Sequence, residues 1–297
     1  MSDTESTTGL RIVTFNVLPL AYGLVSRWAE ENGHTLALVV TTPGPSTRRT
    51  PSYRGVVTMA PPGVDALVTT RLRRVALPLI RELRPDLIVS FTFPYRIPPE
   101  ITAIPRYGAV NLHPTVLPAY RGPNVARPIY EGFAIGATLH WTEAEYDTGR
   151  ILSQHAAPLP EAVTAEAISA LWGPLMMRAF SEGVARAIAG DPGTPQDHAR
   201  STYAAPFTDA EHWLDWTDTT HTLMRKVAAL NLFGSPAAKA WIAGESYRVE
   251  RVEPRDDARA TAPGDVRDRT ADGFIVGTGD GVVAVVATPL TDAPHTS

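Results

Sequence analysis

The sequence from Gly108 to Gly122, GAVNLHPTVLPAYRG, decides how this chain folds around its site. Its apolar run, Ala109–Leu112, is typical of a short buried strand. Side chains alternate along a strand, so Asn111 and His113 are expected to lie on the same face. In open α/β sheets, ligands bind at the carboxyl ends of the strands. We therefore predict a binding site where this strand ends, with Pro114 stiffening the loop that follows.

A carboxylate follows this strand at a position from which it can reach His113. The run 136–141 (GATLHW) predicts the next strand, and the run 151–154 (ILSQ) predicts another. Between them, the segment 146–149 (YDTG) contains residue types that favour tight turns. We expect a hairpin whose tip, Asp147, folds toward His113.

An amide, an imidazole and a carboxylate in one site suit acyl transfer. Asn111 would polarise a carbonyl oxygen, His113 would move a proton, and Asp147 would stabilise the imidazolium and so raise the pKa of His113. Taken singly, each residue has a structural alternative. A lone histidine is more often structural, and Asp-Thr-Gly is also an ordinary turn sequence. The presence of all three together favours a catalytic site.

Strands and helices alternate through the N-terminal two-thirds of the chain. We predict strands at 10–17, 35–40 and 86–90, and helices at 20–32, 64–83 and 162–189. Gly33 is expected to end the first helix, because glycine readily adopts the left-handed conformation found after helices. Strands separated by helices of this length predict a Rossmann-like α/β domain with a mostly parallel sheet.

A second, smaller domain is predicted from residue 205. The segment 209–230 has a mostly helical pattern, and short apolar runs separated by Gly and Asp follow it. We predict a surface loop at 254–263 and strands at 240–242, 246–252, 264–266, 273–276 and 282–286. Short strands at this spacing indicate a small β-barrel or sandwich.

Composition excludes several classes of protein. The 297 residues are 44% hydrophobic and 20% charged, as in ordinary globular proteins. The absence of cysteine excludes disulfides, thiolate catalysis and thiolate zinc sites. The histidines show no HExxH or paired-ligand spacing, so we predict no metal. No apolar run approaches the ~18 residues of a membrane span, and the polar N-terminus is unlike a secretory signal, so we expect a cytoplasmic protein.

The first predicted turn between strand and helix argues against a nicotinamide cofactor. A dinucleotide site needs the pattern GxGxxG after the first strand, because glycines let the pyrophosphate approach the helix N-terminus. Residues 15–20 read FNVLPL and contain no glycine.

At its central motifs the chain resembles the folate-dependent formyltransferases. The similarity is carried by Asn-x-His-Pro at 111–114, Leu-Pro-x-Tyr-Arg-Gly at 117–122, Gly-Ala-Thr-Leu-His at 136–140 and Asp-Thr-Gly-x-Ile-Leu at 147–152. Thr-Tyr-Ala-Ala-Pro at 202–206 and Leu-Asp-Trp at 214–216 extend it toward the C-terminus. The resemblance covers roughly residues 10–290 and is strongest between 86 and 154.

The resemblance implies a reaction, a site and an architecture. The donor would be 10-formyltetrahydrofolate, the acceptor a primary amine, and the catalytic residues Asn111, His113 and Asp147. The residues implied to contact the folate are Phe91, Phe93, Tyr95, Leu117 and Gly149. Residues 10–204 would form the catalytic domain and residues 205–290 a helix with an OB-like β-barrel. Residues 1–9 would be a disordered N-terminus and residues 291–297 a loose tail.

Two features bear on the acceptor. The turn at 15–20 departs from the Gly-Thr-Pro turn typical of family members that formylate Met-tRNA. From residue 201 onward the chain has nine Lys and Arg against fourteen Asp and Glu, which is the wrong sign for binding a polyanion. We therefore predict a small acceptor, such as an amino sugar, an amino acid or a biosynthetic intermediate. Initiator Met-tRNA is the alternative acceptor, and a hydrolase that uses water in place of the amine is a less favoured alternative.

Two chemical details stay open at the level of sequence. Arg121 is expected either to position a phosphate or carboxylate or to form a structural ion pair. The proton that leaves the attacking amine would pass to Asp147, to His113 or to a bound water.

Overall fold

The computed structural model describes residues 9–44, 52–234, 236–256 and 261–290. Its larger sheet has seven strands: β1 (Arg11–Asn16), β2 (Thr35–Thr41), β3 (Asp65–Val68), β4 (Leu87–Phe91), β5 (Ala109–His113), β6 (Ile135–Trp141) and β7 (Ile151–Ala157). The strand order is β3-β2-β1-β4-β5-β6-β7. The pairs from β3 to β5 are parallel, and β5 pairs with β6 antiparallel. The prediction of an α/β domain with a mostly parallel sheet is confirmed.

Six α-helices lie among the described residues before residue 190: α1 (Pro19–Glu31), α2 (Ser52–Met59), α3 (Leu77–Leu83), α4 (Pro99–Thr102), α5 (Arg127–Glu131) and α6 (Ala165–Ile188). Helix α1 begins with Pro19, whose missing N–H would have had no partner within the helix. Gly33 follows the helix with a φ of 68°, as predicted for a glycine that stops a helix.

The prediction of one helix over 64–83 is wrong in its first half. Residues Asp65–Val68 form strand β3, which pairs in parallel with β2 from Leu38 to Thr41. A π-helical segment, Leu72–Ala76, then leads into α3. The apolar residues of 64–83 have a helical spacing, but the exposed edge of β2 offers backbone partners that this local pattern does not reveal. Pairing at the sheet edge therefore overrides the periodicity.

Apolar side chains pack on one face of the parallel strands and hold β5 in place. The buried cluster includes Val13 and Phe15 of β1, Ile88 of β4 and Ala109 of β5, and Ile80 of α3 packs into it. Burying one such aliphatic or aromatic side chain contributes about 1.5–3 kcal/mol. The cluster therefore anchors the start of β5, from which the polar residues of the site extend.

The smaller sheet has five antiparallel strands: β8 (Lys239–Ile242), β9 (Glu245–Pro254), β10 (Val266–Thr270), β11 (Gly273–Gly277) and β12 (Val282–Pro289). Their order is β10-β11-β12-β9-β8, with α7 (Thr220–Asn231) packed against β9. This separate antiparallel sheet agrees with the predicted fold class. The predicted strand at 264–266 lies instead at Val266–Thr270.

The helix predicted over 209–230 is shorter in the structure. It is confined to α7, preceded by a 3₁₀ turn at Ala210–His212. Two residues between the 3₁₀ turn and α7 pair with strand β8 of the smaller sheet. Trp213 forms a β-bridge with Lys239, and the N–H of Leu214 donates to the Lys239 carbonyl. Thr219 then caps α7 by accepting a hydrogen bond from the Thr222 N–H.

The chain divides into two compact units. The first contains described residues within 1–122, 136–156 and 174–202, and the second contains those within 123–135, 157–173 and 203–297. The predicted domain bounds of 10–204 and 205–290 stay predictions. The predicted terminal segments 1–9 and 291–297, apart from Gly9, and part of the predicted loop at 254–263 lie outside the described residues. Across the described ranges, no helix has the length and apolar character needed to cross a membrane.

Candidate active site

Strand β5 carries Asn111 and His113 to the carboxyl end of the parallel strands. Ser90 of β4 lies opposite Asn111 on one side, and His140 of β6 lies opposite it on the other. The imidazole of His113 is buried, with only 5% of the residue exposed, whereas Asn111 is partly exposed. The amide is therefore more accessible from outside than the imidazole.

Asp147 lies between β6 and β7 in the left-handed conformation, with a φ of 56°. Aspartate adopts this conformation more readily than most residues. The backbone N–H of Gly122 donates to Oδ2 of Asp147 at 3.0 Å. The Nε2 atom of Gln196 donates to the carbonyl oxygens of Asp147 and Gly149 at 2.9 and 2.7 Å. Segments distant in sequence thus hold the backbone and the carboxylate of this turn.

The three side chains predicted to be catalytic converge. Nδ1 of His113 lies 3.5 Å from Oδ1 of Asp147, and Nδ2 of Asn111 donates to the same oxygen over 3.5 Å. Nε2 of His113 lies 2.9 Å from the carbonyl oxygen of Tyr120. Both ring nitrogens of His113 therefore face oxygen acceptors, which fixes the orientation of the ring. The catalytic role of the three residues stays a prediction.

Burial and charge act in opposite directions on the two ionisable groups. Burial lowers the pKa of His113 below its ordinary value of 6.5, although the Asp147 carboxylate acts to raise it. Asp147 thus acts on the pKa of His113 in the predicted direction, but desolvation outweighs this attraction and the pKa is lowered overall. For Asp147, burial would raise the pKa, but His113, His140 and the Gly122 N–H together hold it well below its usual range.

His140 is a member of the site that the sequence did not reveal. Its Nε2 atom lies 3.1 Å from Nδ2 of Asn111 and 3.8 Å from Oδ1 of Asp147. His140 belongs to the motif GATLH, but its place beside Asn111 depends on the antiparallel register between β5 and β6. Gln196 was missed for the same reason. It contacts Asp147 and Gly149, which precede it in the sequence by 49 and 47 positions.

The residues expected to contact folate occupy positions that packing also explains. Phe91 and Leu117 are buried at 3% and 2% exposure. Phe93 and Tyr95 are partly exposed, and the Phe93 ring meets those of Phe15 and Tyr95 edge-on at 5.1 and 6.0 Å. Folate contact by these residues stays a prediction.

Gly149 has a packing role that its sequence motif did not reveal. A Cβ atom at this position would overlap the carbonyl oxygen of Trp141 and lie 3.1 Å from Nδ1 of His140. The close approach of the backbone therefore requires glycine here. Contact between Gly149 and folate is a separate expectation, which remains a prediction.

Arg121 makes hydrogen bonds rather than an ion pair. Its Nη2 atom donates to Oε1 of Gln196 at 2.6 Å and lies 3.1 Å from Nδ1 of His198. No carboxylate among the described residues forms a salt bridge with Arg121. The structural ion pair considered for Arg121 is thus not formed within that part of the chain.

The described part of the chain contains no group of three or more His, Asp or Glu residues that could hold a metal ion. The side chains that converge here are an amide donor, a neutral imidazole and an ionised carboxylate. This set can donate to a negatively charged oxygen and exchange a proton with a bound group.

Comparison with known proteins gives two family matches in the sequence. A family described as formyl transferase matches residues 30–173, and its C-terminal domain matches residues 206–291. The methionyl-tRNA formyltransferase of Roseiflexus castenholzii is 30% identical over 296 residues, covering 93% of this chain and 90% of that protein. The methionyl-tRNA formyltransferase of Ralstonia nicotianae is 32% identical, covering 71% of this chain and 65% of the relative.

Two solved structures are similar in fold. HypX from Aquifex aeolicus in complex with tetrahydrofolic acid matches with a TM-score of 0.67 and 20% identity, over 95% of this chain and 44% of HypX. This chain therefore spans less than half of HypX. The N-formyltransferase from Helicobacter canadensis, in complex with folinic acid and dTDP-3-aminofucose, matches with a TM-score of 0.63 and 14% identity, over 94% of this chain and 98% of the neighbour.

Proposed function

The chain belongs to the formyl transferase family, and we propose that it transfers the formyl group of 10-formyltetrahydrofolate to the primary amine of a small metabolite. The observation that carries this proposal is the convergence of Asn111 and His113 on Asp147, since Nδ2 of Asn111 and Nδ1 of His113 each lie 3.5 Å from its Oδ1 atom. An amino sugar, an amino acid or a biosynthetic intermediate would serve as the acceptor.

Each residue of the trio has a chemical role in this proposal. The acceptor nitrogen bonds to the electrophilic formyl carbon of the donor, the bond from that carbon to N10 of the folate breaks, and tetrahydrofolate leaves with the proton that the amine gives up. Asn111, the accessible member, donates an amide N–H to the oxygen that gains negative charge during transfer. His113 is neutral because burial lowers its pKa, so it is able to take a proton from the attacking amine. Asp147 stays ionised and stabilises the imidazolium that then forms.

The residues that follow β4 fit a folate ring. The pterin and benzoyl rings present broad faces that pack on apolar side chains, while the pterin edge carries amino, N–H and carbonyl groups; sites for such ligands are lined by hydrophobic and aromatic side chains with a few polar groups. Phe93 and Tyr95 keep part of their surface exposed while their rings pack against the core. Thr92 has a φ of 63°, which turns the backbone sharply after the strand. These residues would form an apolar wall with backbone groups available to the ligand.

The charge of the C-terminal region supports a small acceptor. Binding to tRNA depends on Lys and Arg that neutralise phosphates. Three described cations of the second unit are already paired with acids: Arg127 with Glu211 at 2.5 Å, Lys226 with Asp218 at 2.6 Å and Arg251 with Glu253 at 3.2 Å. Together with the net negative charge of residues 201–297, these pairs disfavour a polyanionic partner.

Arg121 supports an acceptor that carries a phosphate or carboxylate. Its guanidinium interacts with the amide of Gln196 and the ring of His198. Burial is the main cause of the lowered pKa of His113, and Asp147 opposes it. The positive charge of Arg121 adds a smaller effect that also lowers this pKa. An anionic group on a small amine would supply the opposite charge that Arg121 lacks among the described residues.

Initiator Met-tRNA is the second candidate acceptor. The observation that favours it is the 30% identity to a methionyl-tRNA formyltransferase over 93% of the chain. The two candidates differ in their charge, so they differ in how strongly salt weakens binding.

The test gives purified protein 10-formyltetrahydrofolate as the donor. One set of reactions contains a panel of small amines that includes a nucleotide-linked amino sugar, and a parallel set contains initiator Met-tRNA. The small-acceptor proposal expects donor conversion that depends on a panel amine and Met-tRNA binding too weak to resolve. Met-tRNA formylation with a steep salt dependence of binding would overturn the small-acceptor choice. Full-rate formate release without any amine would show a hydrolase, and no conversion of the donor at all would overturn the function itself.

A further inference from the structure

His140 is a buried side chain beside the site that the proposed chemistry does not use. It lies on β6 directly opposite Asn111 of β5, and 2% of it is exposed. Side chains opposite each other on neighbouring strands share one face of the sheet and make contact. The Nε2 atom of His140 lies 3.1 Å from Nδ2 of Asn111, within hydrogen-bond distance.

The surroundings of His140 select one tautomer of its ring. Nδ1 of His140 lies 2.8 Å from the carbonyl oxygen of Trp141, which can only accept. Nδ1 therefore carries the proton, and in a neutral ring Nε2 has a free lone pair. That lone pair accepts a hydrogen bond from the Asn111 amide. The Asp147 carboxylate, at 3.8 Å from Nε2, is too distant for a hydrogen bond with it.

This tautomer decides which way the Asn111 amide faces. With Nδ2 toward His140, one amide N–H is donated to Nε2. In the flipped amide, the Oδ1 atom would face the Nε2 lone pair, so two acceptors would oppose each other. The second N–H of Asn111 points toward Oδ1 of Asp147 over 3.5 Å, a long and weak contact. That N–H remains available to a stronger acceptor.

We propose that His140 is a positioning residue that sets the orientation of the Asn111 amide, so that one N–H faces the oxygen that becomes negatively charged. The effect of His140 on catalysis rests on the proposed function, whereas the tautomer of the His140 ring does not. Gly149 supports the arrangement, because any larger residue would overlap the Trp141 carbonyl that accepts the hydrogen bond from His140.

Two variants separate the two hydrogen bonds of His140. In His140→Gln, the terminal amide reaches the place of Nε2, so its oxygen can accept from Asn111. In His140→Asn, the shorter amide reaches only the place of Nδ1, so it can donate to Trp141 while Asn111 loses its acceptor. Both variants lose the imidazole ring, so the comparison between them isolates the contact with Asn111.

The expected result is a change in kcat with little change in donor binding. Since loss of an oxyanion donor costs about 10²–10³ in kcat, a misdirected one in His140→Asn should cost about 10–100-fold, and His140→Gln should stay close to wild type. The KM for 10-formyltetrahydrofolate should be similar in both. If His140 served only to bond Trp141, the order would reverse, and His140→Asn at or above His140→Gln would overturn the proposal.

A measurement without turnover tests the tautomer itself. In protein labelled with ¹⁵N in its histidine rings, long-range ¹H–¹⁵N spectra distinguish protonated from bare ring nitrogens. The His140 signals are identified by their absence in His140→Gln. We expect a proton on Nδ1 and none on Nε2. A proton on Nε2, alone or together with one on Nδ1, would overturn the inference even if the wild type showed no formyl transfer.

His155 provides the matched control. It lies on β7 and its Nε2 pairs with Glu182 at 2.7 Å. His155→Gln should leave kcat and the His140 ring signals unchanged. An equal loss of kcat in His155→Gln and His140→Asn would mean that histidine loss acts through general stability, and would overturn the positioning role.

Discussion

The backbone N–H of Gly122 donates to the Oδ2 atom of Asp147 over 3.0 Å. This hydrogen bond joins the loop after β5 to the turn between β6 and β7. A backbone donor stabilises the ionised form of a carboxyl group and so lowers its pKa. The bond therefore fixes the position of the carboxylate near His113 and keeps it charged.

The lowered pKa of Asp147 predicts that this residue stabilises the fold at neutral pH but not in acid. The carboxyl group ionises at about 3.9 in an unfolded chain and at lower pH in the folded protein. Its contribution is therefore fully present above the unfolded pKa and is lost as the pH falls through the folded pKa. In urea unfolding, Asp147→Asn should be less stable than wild type near neutral pH, and the two should converge in acid. A difference that stays constant as the pH falls would contradict this.

Replacing Asn111 should affect turnover more than donor binding. Removing an oxyanion donor costs about 10²–10³ in kcat, so Asn111→Ala should show that loss with a nearly unchanged KM for the folate. Steady-state kinetics with the acceptor found for the wild type would measure both constants. Asn124→Ala is the control, because the Asn124 side chain donates to the Ala205 carbonyl and has no part in the proposed chemistry. Unchanged activity in Asn111→Ala would remove Asn111 from the mechanism.

The lowered pKa of His113 predicts the shape of the pH profile. His113 is neutral above its pKa, which burial places below 6.5. If the neutral ring takes the proton, kcat/KM should be level near neutral pH and fall only at pH values below about 6.5. General acid–base catalysis contributes about 10²–10⁴-fold, so His113→Ala should lose more activity than Asn111→Ala. A rate that declines as the pH rises through neutrality would instead make the imidazolium the active form.

Gly149→Ala should destabilise the protein, because the new Cβ would overlap the Trp141 carbonyl oxygen. Overpacking of this kind costs about 1–3 kcal/mol. Gly23→Ala is the matched substitution, since a Cβ at Gly23 meets only the terminal methyl of Met59, at 3.3 Å, and lies within α1. Alanine in place of a helical glycine gains about 0.5–1 kcal/mol. Urea unfolding should therefore separate the two variants, and equal stabilities would refute the close approach at Gly149.

Gln196 should matter through its hydrogen bonds. Gln196→Met keeps a similar shape but cannot donate to the carbonyls of Asp147 and Gly149 or accept from Arg121. Leaving a buried polar group unsatisfied costs about 1–3 kcal/mol, so this variant should unfold at lower urea and lose turnover as the Asp147 turn loosens. Wild-type stability and kcat in Gln196→Met would show that the turn is held by other contacts.

Much of the larger sheet and of the candidate site could be predicted from the local sequence pattern. The apolar run at 109–112 predicted a strand, whose alternating side chains would place Asn111 and His113 on one face, and β5 spans those residues. The failure at 64–83 has a definite cause. Its apolar spacing fits a helix, but Asp65–Val68 pairs with an edge strand from a different part of the chain. For the same reason, the local pattern did not reveal that the Leu214 N–H donates to the Lys239 carbonyl of the smaller sheet.

The sequence by itself determined strands β1, β2, β4 and β5, the glycine that stops α1 and the presence of an amide, an imidazole and a carboxylate. These depend on residues a few positions apart. Tertiary structure alone decided that His140 faces Asn111, that Gly122 binds Asp147 and that Gln196 holds the turn, across 29, 25 and 49 residues. It also decided the pKa of His113, because desolvation depends on what the whole fold packs around the ring.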